Sequence, residues 1–285
     1  MRRMAGDTKI LVDGLCFPEG PRWHDGRFWF SDMHAKRVLR VGLDGRAETI
    51  VEVPNNPSGL GWLPDGRLLV VSMNERRLMR LDPGGLALHA ELGHIATFHC
   101  NDMVVDRHGR AYVGNFGFDL IANAPQRPTS LARVDPDGKV HVAATDLMFP
   151  NGTVITPDER TLIVGETFGA KLTAFDVARD GSLSNRRVFA ALEGGAVPDG
   201  IALDAEGAVW VASPLTGECL RVHEGGRVSA RVRGAGLAYA CALGGPDRRT
   251  LMICTAETHH PDECIQKRTG KLETVDVDVP GAGWP

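Results

Sequence analysis

The sequence lacks a strong excess of charge of either sign, and this excludes two classes of partner. Its 285 residues include 32 Lys and Arg and 36 Asp and Glu, which gives a formal net charge of −4. Proteins that bind nucleic acids or anionic membrane surfaces usually carry clustered positive charge. We therefore expect neither a nucleic acid nor a membrane among the partners of this chain.

Long apolar runs and paired cysteine motifs are also missing. No segment approaches the roughly 20 apolar residues of a membrane-spanning helix, and the first ten residues lack the apolar centre of a secretory signal. The six cysteines show no CxxC or zinc-type spacing. Buried, reduced thiols explain them best. These absences predict a soluble, cytoplasmic protein.

A helical period is the third feature that is absent. No stretch keeps apolar residues at the 3.6-residue spacing of a helix, which disfavours a helical solenoid. The chain instead contains short runs of β-branched and aromatic residues between turns such as Asp25-Gly26 and Asp65-Gly66. This pattern is typical of β-strands joined by hairpins.

The strand-like runs form six similar units. Each unit starts at an equivalent position, which we call the anchor position; it often lies in a Pro-X-Gly sequence, as in Pro18-Glu19-Gly20. Successive anchor positions are separated by 39, 43, 50, 48 and 40 residues. Four strands in about 40–50 residues is typical of a β-propeller blade. The six anchor positions are Glu19, Ser58, Asn101, Asn151, Asp199 and Tyr239.

We therefore predict an all-β protein, with residues 1–285 forming a single six-bladed β-propeller domain of four antiparallel strands per blade. The blades should begin near residues 19, 58, 101, 151, 199 and 239. An all-β sandwich is the alternative, but it does not account for six similar units. The sixth unit ends one strand short, and residues 8–12 (TKILV) belong to no unit. This N-terminal strand should complete the last blade and protect its edge.

Strand order decides which face of the propeller carries chemistry. The turns from first to second strand and from third to fourth strand share one face, and the Asp-Gly turns fall there as ordinary turn residues. The anchor positions fall on the other face, beside the axis; we call it the anchor face. The six anchor side chains should therefore form a ring around the central channel.

Four of the ring residues carry oxygen ligands of the kind that hard cations prefer. Glu19 and Asp199 contribute carboxylates, and Asn101 and Asn151 contribute amides. Two carboxylates that lie close together repel each other unless a cation lies between them. Oxygen donors favour one divalent cation, with Ca²⁺ first and Mg²⁺, Mn²⁺ or Zn²⁺ as alternatives. The competing interpretation is that these side chains only satisfy backbone groups in their turns.

Loops between the second and third strands share the anchor face and should form the walls of a pocket. They contribute His34, Asn74 and the segments 115–129, 166–168 and 257–270. Asp119 in the long 115–129 segment, and His99 just before Asn101, are expected to line this pocket. His259, His260 and Cys264 superficially resemble a transition-metal cluster, but adjacent histidines should diverge.

Several motifs together resemble a known family over nearly the whole chain. They are FPEGPRW, HCNDMVVDRHGRAYVGN, FPNGTVITPDERTLIVGET, VPDGIALDAEGAVWVAS and the closing VDVPGAGWP. In this combination they resemble the senescence-marker-protein/gluconolactonase/luciferin-regenerating enzyme family. The resemblance implies a six-bladed propeller with one divalent cation, held by Glu19, Asn151 and Asp199. It also implies that Asn101 contacts metal or substrate, and that the activity is hydrolysis of lactones, often sugar lactones.

Two positions depart from the pattern of this family. Members that act on sugar lactones tend to carry Arg two residues before the first Asn, where this chain has His99. Tyr239 stands where the resemblance implies a small hydroxyl residue. The expected substrate contacts are therefore Asn101, His99, Asp119 and Tyr239, and the departures favour a substrate other than gluconolactone.

The leading hypothesis is a metal-dependent lactonase acting on a small molecule. Asp199 is the candidate general base for the attacking water, with Asp119 and His99 as alternatives. Ser58 has no His–Asp pair placed to activate it, so a covalent serine mechanism is disfavoured. The alternatives are a metal-dependent esterase or phosphotriesterase, and a non-catalytic calcium-binding or ligand-binding propeller. A closed propeller predicts a monomer or a weak homo-oligomer.

Overall fold

Six separate antiparallel sheets make up the fold. The computed structural model describes residues 8–283. Residues 1–7 and 284–285, which include the end of the closing motif, lie outside this description. Each sheet has four strands, and the inner strands of the six sheets contact each other in one closed circle. The protein is a six-bladed β-propeller, which confirms the predicted fold.

The blades follow the chain in order, except that the last blade takes its outermost strand from the N-terminal region. That strand is β1 (Lys9–Leu15). From the axis outward, blade 1 contains β2 (Pro18–His24), β3 (Arg27–Asp32), β4 (Arg37–Val41) and β5 (Ala47–Glu52); blade 2 contains β6 (Pro57–Trp62), β7 (Leu68–Ser72), β8 (Arg77–Asp82) and β9 (Gly85–Glu91). Blade 3 contains β10 (Cys100–Val105), β11 (Ala111–Asn115), β12 (Thr129–Val134) and β13 (Val140–Leu147); blade 4 contains β14 (Pro150–Ile155), β15 (Thr161–Glu166), β16 (Lys171–Val177) and β17 (Leu183–Ala191). Blade 5 contains β18 (Ile201–Leu203), β19 (Val209–Ser213), β20 (Glu218–Val222) and β21 (Val228–Arg233); blade 6 contains β22 (Leu237–Gly244), β23 (Thr250–Ala256), β24 (Gly270–Asp276) and then β1.

Pairing of β1 with β24 closes the ring. The two strands are antiparallel, with Lys9 opposite Thr274 and Leu15 opposite Gly270. This confirms that the N-terminal strand completes the last blade, although the strand continues past residue 12 to Leu15. Because β1 leads directly into β2, the segment that closes the ring also delivers the first anchor residue, Glu19.

Apolar side chains fill the spaces between neighbouring blades. Six of the apolar clusters in the described residues each join two adjacent blades. A seventh cluster lies on the anchor face and contains Phe17, Met33, Met73, Tyr239, Ala256 and Cys264. All six cysteines are free and buried, as predicted. The seventh cluster combines residues of three consecutive blades, 6, 1 and 2, at their ends on the anchor face.

Inner strands approach each other closely at the anchor positions. Gly20, directly after Glu19, has a φ of +55°, and a Cβ atom there would lie 2.7 Å from the carbonyl oxygen of Ser58 in the next blade. Glycine is therefore required both by the backbone conformation and by the neighbouring strand. The pairing of β2 with β3 also shifts register between Glu19 and Arg22. Such a bulge redirects side chains, and similar shifts occur at the anchors of blades 2, 3, 4 and 6.

Helical structure is confined to three short segments of the described chain. Two are 3₁₀ turns, Met33–Ala35 and Thr167–Gly169, and one is an α-helix, α1 (Pro261–Lys267). We did not predict α1, because seven residues are too few to show a helical apolar period. Its signals are Pro261 at the start, two acidic residues in the first turn and Lys267 in the last. Among residues 8–283, no helix is long and apolar enough to cross a membrane.

Candidate active site

The anchor side chains surround the channel at the starts of the inner strands. Glu19, Asn101 and Asn151 are buried, with exposed fractions of 8%, 6% and 4%. Ser58 and Tyr239 are also buried, whereas Asp199 keeps an intermediate exposure just before β18. Of the six anchors, Asp199 is therefore the one most accessible to water and to a small molecule that enters from the anchor face.

The three residues that the family resemblance assigns to a metal lie together. The side-chain amide of Asn151 donates a hydrogen bond to Oδ1 of Asp199 at 2.6 Å. Burial raises the pKa of Glu19 well above its usual value, and the nearby charge of Asp199 raises it further. Three chain segments from blades 1, 4 and 5 thus bring two carboxyl groups and one amide to the same place.

This donor set fits a hard divalent cation. Burial also raises the pKa of Asp199, so the protein by itself disfavours two ionised carboxylates here. A cation between Glu19 and Asp199 would remove that penalty, and the amide oxygen of Asn151 adds a third oxygen donor. In residues 8–283, no group of three or more His, Cys, Asp or Glu side chains is arranged to hold a metal. The fit of a cation here therefore includes the amide of Asn151 as well as the two carboxyl groups.

The His259, His260 and Cys264 cluster does not form a metal site among the described residues. The two histidine rings nevertheless stack at a centroid distance of 4.7 Å, so our expectation that they diverge was wrong. His260 has an extended backbone and lies immediately before α1 begins. Cys264 instead directs its thiol to the carbonyl oxygen of Thr258.

Asp102 is a third carboxylate of the channel, and we did not identify it from the sequence. It occupies the position after the anchor, where blades 1, 2, 4 and 5 have glycine. Arg22 of blade 1 donates a hydrogen bond to its Oδ1 at 2.7 Å. Burial raises the pKa of Asp102, and its charge in turn raises the pKa values of Glu19 and Asp199. The signal in the sequence was an acidic residue at a glycine position.

Neighbouring hydroxyl groups orient the two amides of the ring. Ser58 donates a hydrogen bond to Oδ1 of Asn101 at 3.3 Å. The amide of Asn151 donates to Oγ1 of Thr167 at 3.1 Å, and that hydroxyl donates to the carbonyl oxygen of Pro198 at 2.8 Å. Ser58 and Thr167 thus position other side chains.

Tyr239 lies above the acidic pair, as its place in the ring predicts. Its ring is buried and meets Phe17 edge to face, with a centroid distance of 4.7 Å. Burial raises the pKa of Tyr239, and the charges of Asp199 and Glu19 raise it further. Tyr239 therefore connects the oxygen donors with the apolar cluster above them.

His99 and Asp119 lie near each other on the anchor face. The imidazole of His99 stacks on Phe98 at 4.1 Å. Burial lowers the pKa of His99, whereas the charge of Asp119 raises it. Oδ1 of Asp119 also accepts a hydrogen bond from the backbone N–H of Ala122 at 2.9 Å. Asp119 therefore has a local structural role in its own turn in addition to its closeness to His99.

Glu166 does not form part of the pocket wall, which corrects our expectation for the 166–168 segment. Its side chain is fully buried and accepts hydrogen bonds from the backbone N–H of Met148 at 2.8 Å and from Thr173 at 2.5 Å. Glu166 is the last residue of β15, and its side chain points inward. All six blades carry a buried polar side chain at the equivalent place near the end of the second strand, which is the last residue except in blade 6, where it is the last but one. We call this the brace position: Asp32, Ser72, Asn115, Glu166, Ser213 and Thr255.

Three of these braces hold the segment that leads into an anchor residue. Each accepts a hydrogen bond from a backbone N–H two or three residues before the anchor. The pairs are Asp32 with Phe17 at 2.9 Å, Glu166 with Met148 at 2.8 Å and Ser213 with Val197 at 3.2 Å. These are blades 1, 4 and 5, the blades that supply Glu19, Asn151 and Asp199. The braces therefore support the candidate ligands in particular.

A separate cavity lies on the face opposite the anchor residues. It has a volume of about 240 Å³ and is lined by residues of blades 1, 2 and 3, including His24, Trp62 and Arg107. The imidazole of His24 stacks on Trp62 at 3.9 Å. No anchor side chain lines this cavity, so the candidate site remains on the anchor face.

A family model described as "SMP-30/Gluconolactonase/LRE-like region" matches residues 17–257. The chain belongs to this family. The match begins two residues before Glu19 and includes all six anchor positions. In this SMP-30/gluconolactonase-like chain, the ring of anchor residues is thus part of the matched region, as the motifs predicted.

Several similar proteins align with nearly the whole chain. A 6-deoxy-6-sulfogluconolactonase of Pseudomonas putida is 31% identical, over 94% of this chain and 93% of its own length. The pentonolactonase XacC of Haloferax volcanii is 27% identical, over 96% of this chain and 95% of its own length. A solved structure described as a calcium-binding protein, regucalcin, from Agrobacterium tumefaciens superposes with a TM-score of 0.81 at 24% identity, covering 99% of this chain and 97% of that one. This last likeness supports the fold.

Proposed function

We propose that this member of the SMP-30/gluconolactonase-like family is a lactonase that uses one divalent cation, bound by Glu19, Asn151 and Asp199. One observation carries the proposal: two carboxyl groups with raised pKa values and the Asn151 amide meet at the axis. Two of the relatives similar to this chain are named as lactonases. The all-oxygen donor set favours Ca²⁺, with Mg²⁺, Mn²⁺ and Zn²⁺ as candidates to be compared.

Each side chain of the site has a distinct role in this scheme. A divalent cation held here would polarise the lactone carbonyl and stabilise negative charge that develops on its oxygen. Asp199 accepts a proton from the attacking water, because it is the most accessible acid of the ring. Asn101, fixed by Ser58, binds the substrate beside it. His99, Asp119 and Tyr239 contact the substrate above the ring.

The overall reaction adds one water to the lactone. The water oxygen forms a bond to the carbonyl carbon, and the ring C–O bond breaks. The released ring oxygen takes up a proton, so the product is an open hydroxy acid. Asp199 is placed to hold the proton between these two steps, and no covalent bond to the protein is needed.

Replacement of the acidic ligands tests the proposal. Glu19→Ala and Asp199→Ala should each lower kcat/KM for lactones by more than about 100-fold, the lower range for loss of acid–base groups. Acid release is measured with a pH indicator, before and after EDTA treatment and after addition of each of the four cations. Glu48→Ala, on the exposed edge strand β5, is the matched control and should keep full activity.

Three outcomes separate the rival hypotheses. Full activity in the metal-free protein would refute the metal-dependent scheme. Hydrolysis of esters or phosphotriesters but not of lactones would favour the esterase alternative. Calorimetric metal binding that Glu19→Ala abolishes, without hydrolysis of any compound in a broad panel, would favour a non-catalytic binding protein.

A further inference from the structure

The seventh apolar cluster lies on the anchor face, next to the ring of anchor residues. Its residues come from loops and strand ends of blades 1, 2 and 6 on the anchor face, and Phe116 of blade 3 packs against it. We call these side chains the apolar mouth: Phe17, Met33, Met73, Phe116, Tyr239, Ala256 and Cys264. Tyr239 also lies close to Glu19 and Asp199, so the apolar mouth adjoins the oxygen donors. Its members are buried except for Phe116, whose ring is partly exposed.

Aromatic rings continue the apolar mouth toward blades 3 and 4. Phe116 stacks on Phe149 at a centroid distance of 4.4 Å. The ring centroids of Phe149 and Phe168 are 5.3 Å apart. The centroid of Phe118 lies 5.9 Å from that of Phe149 and 5.2 Å from that of Phe168. Phe116 thus links the aromatic rings of blades 3 and 4 with the cluster of blades 1, 2 and 6. Its intermediate exposure leaves part of the ring free to contact a substrate.

Polar groups around the apolar mouth already have partners in the protein. The ring centroids of His34 and Phe17 are 5.3 Å apart. The Nδ1 atom of His34 lies 3.4 Å from the side-chain nitrogen of Asn56. Asp119 accepts the N–H of Ala122, and Arg76 donates to the carbonyl oxygen of Ala96. A sugar lactone needs a hydrogen-bonding partner for each hydroxyl that it loses from water. The apolar mouth offers contact area but few such partners.

We infer that the substrate is a lactone whose ring carries an alkyl or aryl substituent, and that Phe116 determines this specificity. The inference rests on the proposed lactonase activity and adds the class of substrate. The lactone carbonyl lies at the proposed cation site, while the substituent lies against the partly exposed ring of Phe116. The ring of His99 stacks on Phe98 and lies edge to face with Phe116 at a centroid distance of 6.0 Å, so it extends this group of rings.

Three lactones with the same six-membered ring test the inference. They are glucono-δ-lactone, unsubstituted δ-valerolactone and δ-decalactone, which carries a pentyl chain. We expect kcat/KM to be highest for δ-decalactone, at least about 10-fold above δ-valerolactone, as is usual for added apolar groups in an apolar pocket. Uncatalysed hydrolysis is subtracted for each compound. A preference for glucono-δ-lactone would overturn the inference and leave the proposed lactonase activity intact.

Substitutions of Phe116 connect the preference to the structure. Phe116→Ser should lower the ratio of kcat/KM for δ-decalactone to that for δ-valerolactone by about 10-fold, mainly through KM. Phe116→Leu, which keeps an apolar side chain, should retain most of the ratio. Leu88→Ser on the outer strand β9, where Leu88 is 50% exposed, is the control and should change nothing. An unchanged ratio in Phe116→Ser would overturn the role of Phe116.

A binding experiment tests the inference without catalysis. The lactam analogue of δ-decalactone is not hydrolysed under these conditions, and its affinity is measured by calorimetry beside that of the unsubstituted lactam. We expect at least about 10-fold tighter binding of the pentyl compound, reduced in Phe116→Ser. Equal affinities would refute the apolar specificity. If no lactone is hydrolysed but the pentyl lactam still binds more tightly, the proposed reaction fails and the apolar site stands.

Discussion

One arginine faces three carboxylates in the channel. Arg22 donates to Asp102 at 2.7 Å and also to the carbonyl oxygen of Met103, and both charged side chains are almost completely buried. Asp102 in turn lies close enough to Glu19 and Asp199 to raise their pKa values. The arginine therefore neutralises Asp102, while Glu19 and Asp199 remain for a cation. This pairing supports our proposal that Glu19 and Asp199, rather than Asp102, bind the cation.

Removal of Arg22 should show how much an unpaired buried carboxylate lowers the free energy of unfolding. Arg22→Met leaves Asp102 without its cationic partner and should lower the free energy of unfolding by roughly 3–5 kcal/mol. The double variant Arg22→Met/Asp102→Leu replaces both charges with apolar groups and should recover most of this loss. Urea denaturation in EDTA measures both. A double variant as unstable as Arg22→Met would contradict the ion-pair explanation.

The brace position is a property of the second strand of each blade. Ser213 at the end of β19 accepts the N–H of Val197 at 3.2 Å, two residues before Asp199. Ser72 occupies the same place in β7, but its hydroxyl donates to Glu75 at 2.9 Å. The same residue type at the same strand position thus supports a candidate ligand in blade 5 and a local turn in blade 2. The two serines differ because the hydroxyl of Ser213 faces the segment before Asp199, whereas that of Ser72 faces Glu75.

This pair of serines provides a matched test of the braces. Ser213→Ala should weaken metal binding by roughly 3- to 10-fold, since one hydrogen bond contributes about 0.5–1.5 kcal/mol. Ser72→Ala should leave the metal affinity unchanged. Calorimetric titration with Ca²⁺ measures both variants, and their circular dichroism spectra report whether the fold is intact. Equal effects in the two variants would argue against a specific role for the blade 5 brace.

Closure of the ring links the fold of the whole molecule to the candidate site. Thr8, just before β1, donates a hydrogen bond to Oε2 of Glu273 at 2.6 Å. Glu273 is fully buried and also accepts hydrogen bonds from Thr255 at 2.6 Å and from the backbone N–H of Ala235 at 2.9 Å. The N-terminal strand therefore contacts the side chain that holds the segment before Tyr239.

Deletion of residues 1–13 should destabilise the entire propeller. Most of β1 is lost, so β24 becomes an unprotected edge and Glu273 loses Thr8. We expect the melting temperature to fall by more than about 5 °C, given that about 1 kcal/mol corresponds to a few degrees in a protein of this size. Residues 1–7 of the deletion lie outside the described structure. A synthetic peptide of residues 8–15 should restore part of the loss, and an unchanged melting temperature would contradict the role of β1.

Much of the fold was predictable because the repeat is local. Each unit carries its own Asp-Gly turn and alternating strands, so spacing alone indicated six blades and their strand order. The contribution of Glu19, Asn151 and Asp199 to one ring followed from equivalent positions in the repeat. Helix α1 and the inward direction of Glu166 were not predicted, because a seven-residue helix and the end of a strand carry little periodic signal.

The sequence by itself determined the number of blades, the strand that closes the ring and the face on which the anchor residues lie. These features depend on spacing and alternation, which are properties of neighbouring residues. Only the tertiary structure decided that Arg22 pairs with Asp102, 80 positions away, and that braces hold the anchors of blades 1, 4 and 5. It also decided that Phe116 stacks on Phe149 of the next blade and packs against the apolar cluster of blades 1, 2 and 6. Such contacts join different blades, and their geometry exists only once the ring has closed.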